Sequence, residues 1–282
     1  MRIAVLLATY NRRQKTVSCL NTLFWQKLSV DTNLSVYLTD DNSTDDTAET
    51  VSVLFPDVKV FHGTGSLFWA GGMRNSWHHA LNGGYDYYLL LNDDTTLKSN
   101  AVASLIACAQ RYEDTAICVG STLDTDKKII SYGGHKLFSL RSEKSYHVAS
   151  NTELLECDMA NANIMLVPAA VVGAIGILDD SYTHSIADFD YTLRAKKAGF
   201  KIVVAPGVLG YCVDDHGNNW KPACTPLKDR IKYLKSPKGL AYHEYLHFIK
   251  EHFPLYLPVA FLKLWLKTLF PGIWDKFKLQ HA

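Results

Sequence analysis

The chain has 282 residues, enough for one large domain or one domain with a small appendage. Its residues are 48% hydrophobic and 20% charged, a globular composition that excludes a disordered or fibrous chain. The net charge of +1 is unevenly spread: residues 1–220 hold 18 Lys and Arg against 24 Asp and Glu, whereas residues 221–282 hold 11 against 4. An acidic body disfavours nucleic acid as a partner, and a basic tail suits an anionic surface.

Arg2–Thr9 is an apolar run ending in polar residues, as a buried strand does at its carboxyl end. Residues 12–28 then change period, with Val17, Leu20, Phe24 and Leu28 at helical spacing. Leu34–Leu38 reads as a second strand, and Ser43-x-x-Asp46 as a variant capping box opening a helix to about Phe55. Val58–Phe61 is a third strand. A glycine-rich loop, Gly63–Gly72, follows it, and a helix is expected from about Met73 to Asn82, ended by Gly83-Gly84. The fourth strand, Tyr87–Leu91, runs into Asn92-Asp93-Asp94. Residues 116–168 read as short β-like pieces, Phe189–Ala198 as a helix and Lys201–Val204 as a strand. Strands alternating with helices argue for an α/β fold whose mostly parallel sheet has helices on both faces. Ligands of such sheets sit beyond the carboxyl ends of the strands. Thr9, Asn11, Asp40, Asp41, Asp93 and Asp94 all fall there.

The six cysteines (Cys19, Cys108, Cys118, Cys157, Cys212 and Cys224) show no C-x-x-C spacing. They read as reduced, mostly buried residues of a cytoplasmic protein. The apolar run Ile3–Ala8 is too short for a signal sequence, and no apolar stretch approaches the roughly 18–20 residues of a membrane span.

Two adjacent carboxylates, Asp93 and Asp94, at a strand end repel unless a cation relieves them. Oxygen ligands suit Mg²⁺ or Mn²⁺ bridging protein to diphosphate; a strand-ending turn with a capping Asp is the alternative. Asp40-Asp41 offers an acceptor for a pyrimidine N–H or a ribose hydroxyl, or else an Asx-turn. Asp45 and Asp46 are better explained as acidic residues at a helix start. Gly71 and Gly72 close the glycine-rich loop. Glycines let backbone approach a ligand, and the helix start behind them favours phosphate. Asp188 and Asp190, in Ala187-Asp-Phe-Asp-Tyr-Thr-Leu-Arg194, can serve one as a general base and the other as a cap. His216, in the loop-like Asp215-His216-Gly217, either completes a metal site or is simply solvated. In the tail, Leu255–Phe270 is apolar but broken by Lys263 and Lys267. It reads either as an interfacial helix on anionic lipid or as a helix packed on the body with snorkelling lysines.

In order, Ala8-Thr-Tyr-Asn-Arg12, Thr39-Asp-Asp-Asn-Ser-Thr-Asp-Asp46, Trp69-Ala-Gly-Gly72, Leu91-Asn-Asp-Asp94, Asp188-Phe-Asp-Tyr-Thr-Leu-Arg194 and Asp215-His216 resemble glycosyltransferase family 2, in its bacterial rhamnosyltransferase-like branch. The resemblance covers about residues 1–220. It implies a GT-A fold with a nucleotide-sugar half (about 1–98) and an acceptor half (about 99–220), followed by a C-terminal helical extension at 221–282. It implies an inverting, metal-dependent hexosyltransferase that moves a sugar, with rhamnose as the leading candidate, from a UDP- or dTDP-sugar donor. The acceptor would be a hydroxyl of a surface polysaccharide or lipid-linked glycan, met in the cytoplasm or on the inner face of the membrane. Thr9, Asn11, Asp40 and Asp41 would hold the nucleoside, with Asp41 on the base. Asp94, supported by Asp93, would bind Mn or Mg, with His216 facing the metal or diphosphate, and Asp188 would be the catalytic aspartate. One departure is Ala187, where many relatives carry Glu before the Asp. It leaves open a non-catalytic nucleotide-sugar-binding or scaffold protein of the same fold.

Overall fold

The computed structural model describes residues 1–214 and 224–274. In chain order the elements are β1 (Arg2–Thr9), α1 (Arg13–Phe24), β2 (Asn33–Asp40), α2 (Thr47–Leu54), β3 (Lys59–His62), α3 (Phe68–Ala80), β4 (Tyr87–Leu91), β5 (Thr96–Leu97) and α4 (Ala101–Gln110). The middle contributes β6 (Ala116–Asp124), β7 (Ile129–Tyr132), β8 (Gly134–Leu137), β9 (Ser145–Val148), β10 (Leu155–Cys157), β11 (Met159–Ala160) and β12 (Ile164–Pro168). Then follow α5 (Ala169–Ile175), α6 (Ala187–Lys197), β13 (Lys201–Tyr211), α7 (Leu227–Lys235), α8 (Tyr242–His252) and α9 (Leu257–Leu269).

The central sheet has the order β10-β13-β6-β12-β4-β1-β2-β3, with β5 on β13 and β7 on β6. β4, β1, β2 and β3 run parallel to one another, as do β6 and β13; β12 lies antiparallel between β4 and β6. A small second sheet has the order β11-β8-β9. Strand β1 shows why the sheet is covered on both faces. Successive side chains of a strand point to opposite faces. Ile3, Val5 and Leu7 join Cys19, Leu20 and Leu23 of α1 in one core. Ala4, Leu6 and Ala8 join Ala70, Met73 and Trp77 of α3 in the other. The second core also takes Phe248, Ile249, Phe253 and Ala260, so the C-terminal helices share the hydrophobic interior of the body.

Several local expectations are corrected. Helix α3 begins at Phe68, so Gly71 and Gly72 lie inside a helix rather than in a loop. A Cβ at Gly72 would come within 2.7 Å of Ala8 Cβ, so glycine is what lets α3 approach β1. That packing need outweighs the helix penalty of glycine, which is about 1 kcal/mol. The capping box does not form: α2 begins at Thr47, after Asp46 at φ 60°, with no side-chain cap. Ser43 Oγ instead accepts from the Asn11 N–H at 2.8 Å, and Asp45 accepts from the Arg13 N–H at 3.0 Å. These residues tie the β2–α2 turn to the start of α1. Helix α1 stops at Phe24, short of Leu28, and β13 runs on to Tyr211.

Candidate active site

Parallel pairing sets Thr9 directly beside Asp40, so β1 and β2 deliver their polar ends together. Asn11 stands at φ 52°, a left-handed conformation that asparagine tolerates better than most residues. Its Oδ1 accepts from the Thr44 N–H at 2.7 Å, which clamps the two loops. Asp40 Oδ1 accepts from the Ser43 N–H, while its Oδ2 is buried with no partner among the described residues. Asp41 is more heavily used. Its carboxylate takes the N–H groups of Gly65, Leu67 and Phe68 at 2.8, 2.9 and 3.0 Å, holding the loop that leads into α3. The helix start expected to face phosphate is thus already met by a carboxylate, and Gly71 and Gly72 sit buried behind it.

The acidic pair at the end of β4 converges on one cation. Arg12 Nη1 lies 3.1 Å from Asp93 Oδ1 and 2.8 Å from Asp94 Oδ2, and Lys15 Nζ lies 3.8 Å from Asp94. Burial pushes the Asp93 carboxyl up to about 6 even though the Arg12 charge pulls it down. Thr16 Oγ1 bridges, 2.8 Å from Thr9 Oγ1 and 3.5 Å from Asp93 Oδ2. Both donors are carboxylate oxygens, the kind of ligand a hard divalent cation takes, and in this structure their shared partner is Arg12. Among the described residues no third His, Cys, Asp or Glu completes a ligand set. His216 lies outside the described residues.

Asp188 is tied to the same strand end through backbone contacts. It sits in the first turn of α6, just after Ile186, a β-branched residue held at φ 75°. Such a conformation is strained and survives only where the surroundings enforce it. Asp188 Oδ2 accepts from the Ala162 N–H at 3.1 Å, and Oδ1 from the Phe189 N–H at 2.9 Å. One residue beyond Ala162, the Asn163 carbonyl accepts from the Asn92 N–H at 3.1 Å, and Trp69 Nε1 donates to Asn92 Oδ1 at 2.8 Å. The segment 161–163 therefore links the Asp188 carboxylate to Asn92-Asp93-Asp94. Burial raises the Asp188 carboxyl above the usual range, against the hydrogen bonds that lower it. Asp190 faces elsewhere. It is buried, accepts from Arg194 Nε at 2.8 Å, and lies 2.7 Å from His252 Nε2. Ala187 is fully buried, so the position where many relatives carry Glu faces the core here.

Sequence reasoning missed several of these groups. Arg12 stood in a motif without a role, and Asn161, Asn163 and His252 carried no signal, because their partners are distant in the chain.

The glycosyl transferase family 2 sequence model matches residues 4–158, more than half of the chain. The chain belongs to glycosyl transferase family 2. No curated protein sequence matches it. Among solved structures, it is similar to residues 1–349 of TarS from S. aureus in complex with UDP. The TM-score is 0.57 at 15% identity, covering 76% of this chain and 60% of TarS 1–349. The UDP-GlcNAc complex of TarS gives 0.58 at 15%, covering 89% and 67%. The mannosyltransferase PcManGT from Pyrobaculum calidifontis, in complex with GDP-Man and Mn²⁺, gives 0.56 at 14%, covering 96% and 71%. These likenesses show the fold, which is that of GT-A glycosyltransferases.

Proposed function

We propose that this family 2 member is an inverting glycosyltransferase that uses a UDP- or dTDP-sugar. The observation that carries the proposal is the hydrogen-bonded tie between two acidic centres. Asp93 and Asp94 lie at the end of β4, and Asp188 is held beside them through residues 161–163. In this reading the nucleoside lies over Thr9, Asn11, Asp40 and Asp41, and the free Asp40 Oδ2 awaits a ligand donor. The uracil ligands of the TarS complexes support a pyrimidine, and the resemblance of the motifs supports a deoxyhexose such as rhamnose. Asp188 takes the proton of the acceptor hydroxyl as that oxygen attacks the anomeric carbon. Arg12 and Lys15 set positive charge where the diphosphate would depart. A bound divalent cation would be held by Asp94 with Asp93 and would supply further charge there. The acceptor is a hydroxyl of a surface polysaccharide or a lipid-linked glycan.

Incubation with UDP- and dTDP-hexoses, Mn²⁺ and alkyl glycoside acceptors should yield a glycoside of inverted configuration. The anomeric proton coupling of the product measures this by NMR, and a retained configuration would overturn the mechanism.

We further infer a catalytic body to about residue 220 and a helical extension that rests on the inner face of the membrane. No helix among the described residues is long and apolar enough to cross a membrane. Helix α9 packs inward through Ala260, Leu264 and Thr268. Its other side exposes Phe261 and Leu262, with Leu255 just ahead of it and Phe270 just after. An apolar face within a basic segment suits anionic lipid. The double substitution Leu255→Ser/Leu262→Ser should therefore abolish sedimentation with phosphatidylglycerol vesicles at low salt while leaving Tm nearly unchanged. Failure of the unmodified protein to bind these vesicles would overturn the inference.

A further inference from the structure

We propose that His135 is a positioning residue for Asp188, acting through the side-chain amide of Asn161. The proposal rests on the reading of Asp188 as the base. Strands β8 and β9 pair antiparallel and set His135 directly opposite His147. Directly opposed side chains share a face of the sheet, and here the two rings lie 4.0 Å apart between centroids. Phe189, the residue after Asp188, meets the His135 ring nearly edge-on at 5.1 Å. The imidazole is thus held from its own sheet and from the helix that carries Asp188.

Its Nε2 lies 3.0 Å from Asn161 Oδ1. An amide oxygen only accepts, so this contact requires the proton on Nε2. Burial, and then the neighbouring His147, bring His135 down to about 4, so near neutral pH the ring is uncharged and carries a single N–H. The Asn161 backbone is fixed as well, its N–H donating to the Gly133 carbonyl at 2.9 Å. With Oδ1 accepting from His135 at close range and from the Gly133 N–H at longer range, the NH₂ end of the amide is turned to Asp188, to which Asn161 gives a hydrogen bond.

An amide has a donor end and an acceptor end of nearly equal size, and its orientation follows its partners. Turned round, Asn161 would present oxygen to a carboxylate. The Ala162 and Phe189 N–H groups would remain on Asp188, but the side-chain donor would be lost. His135 holds the donor orientation together with the Gly133 N–H, which also donates to Asn161 Oδ1 at 3.5 Å. Through one intervening residue it fixes the carboxylate that must meet the acceptor hydroxyl.

The test compares His135→Gln, His135→Glu and His135→Ala with Asp188→Asn in the full-length chain. The readouts are UDP or dTDP release from the donor sugar that the protein turns over, and nucleotide affinity by calorimetry. Gln can place an N–H near the Nε2 position and should keep kcat within about threefold. Ala loses the shorter of the two contacts to Asn161 Oδ1, and kcat should fall about tenfold or more, the scale of one hydrogen bond to a charged group. Ionised Glu only accepts, so it would draw the Asn161 NH₂ to itself and lower kcat further. Donor KM and nucleotide affinity should stay unchanged throughout. Gln and Glu are matched in size, so their comparison holds even if the Ala variant folds poorly. Equal kcat in the Gln and Glu variants, with Asp188→Asn impaired, would overturn the proposal and leave the base in place. Normal turnover in Asp188→Asn would remove the base reading, and this proposal with it.

Discussion

Replacing Asp188 by Asn lowers kcat by about 10²–10⁴ in the mechanism derived above, the usual contribution of a general base. Asn keeps the size of the side chain, and its single amide oxygen can still accept from one of the Ala162 and Phe189 N–H groups, so α6 should begin nearly as before. Nucleotide affinity should change little, because in the proposed function the nucleotide is held by Thr9, Asn11, Asp40 and Asp93 and not by Asp188. The pH dependence has a definite sign. A base works when deprotonated, so activity is present above its pKa and lost below it. Burial raises the Asp188 carboxyl, so the acidic limb of kcat/KM should lie above the ordinary Asp value of about 4. Steady-state kinetics of wild type and variant from pH 4 to 8 would check both statements. Undiminished turnover in Asp188→Asn would leave the mechanism without a base, since Asp190 is sealed in the interior.

The second large effect is on stability and belongs to Asp190. Its side chain is 5% exposed, and the His252 side chain only 2%. Burial alone would raise the Asp190 carboxyl, but the hydrogen bonds and charges of His252 and Arg194 outweigh it and hold the group below its usual range. Arg194 also donates to the Ile175 and Ile177 carbonyls, so the carboxylate organises the end of α5 as well as α8. Removing one partner of a buried pair strands the others, at about 3–5 kcal/mol. Asp190→Ala should therefore lower the unfolding free energy in urea by about 3 kcal/mol or more. Because the folded carboxyl is depressed, its contribution is present above the unfolded value near 4 and is lost as pH falls through the folded one. A loss below about 1 kcal/mol would show that α8 does not depend on this pair.

The parts of the molecule that could be read from the sequence are those fixed by neighbouring residues. Tyr87–Leu91 is an unbroken apolar run followed at once by Asn-Asp-Asp, and both its ends emerge where expected. The same holds for the buried β1 and for the polar residues that end it. What could not be read depends on partners far along the chain. Gly71 and Gly72 look like a loop because glycine weakens a helix, yet close contact with Ala8 demands glycine at position 72. Ser43 has the composition of a local cap but accepts from Asn11, on another loop, while Asp45 divides its carboxylate between Thr47 at the start of α2 and Arg13 at the start of α1. Asp188 and Asp190 are two residues apart and chemically alike. Only His252, 62 residues beyond Asp190, and Ala162, 26 residues before Asp188, separate their surroundings. The tail left two readings open because its apolar residues lie on both sides of the helix: one side of α9 is packed, and the other exposes Phe261 and Leu262.

In the proposed function the ends of β1, β2 and β4 form a nucleoside-diphosphate site with a cation at Asp94. Calorimetric titration of UDP, dTDP and GDP into the full chain, with and without Mn²⁺, tests it most directly, with Asp94→Ala run alongside. The account predicts saturable binding of UDP or dTDP that tightens with Mn²⁺, weaker binding of GDP, and loss of the Mn²⁺ effect in a folded Asp94→Ala protein. The account would be contradicted by GDP binding as tightly as the pyrimidine nucleotides, or by a Mn²⁺ effect that survives in Asp94→Ala.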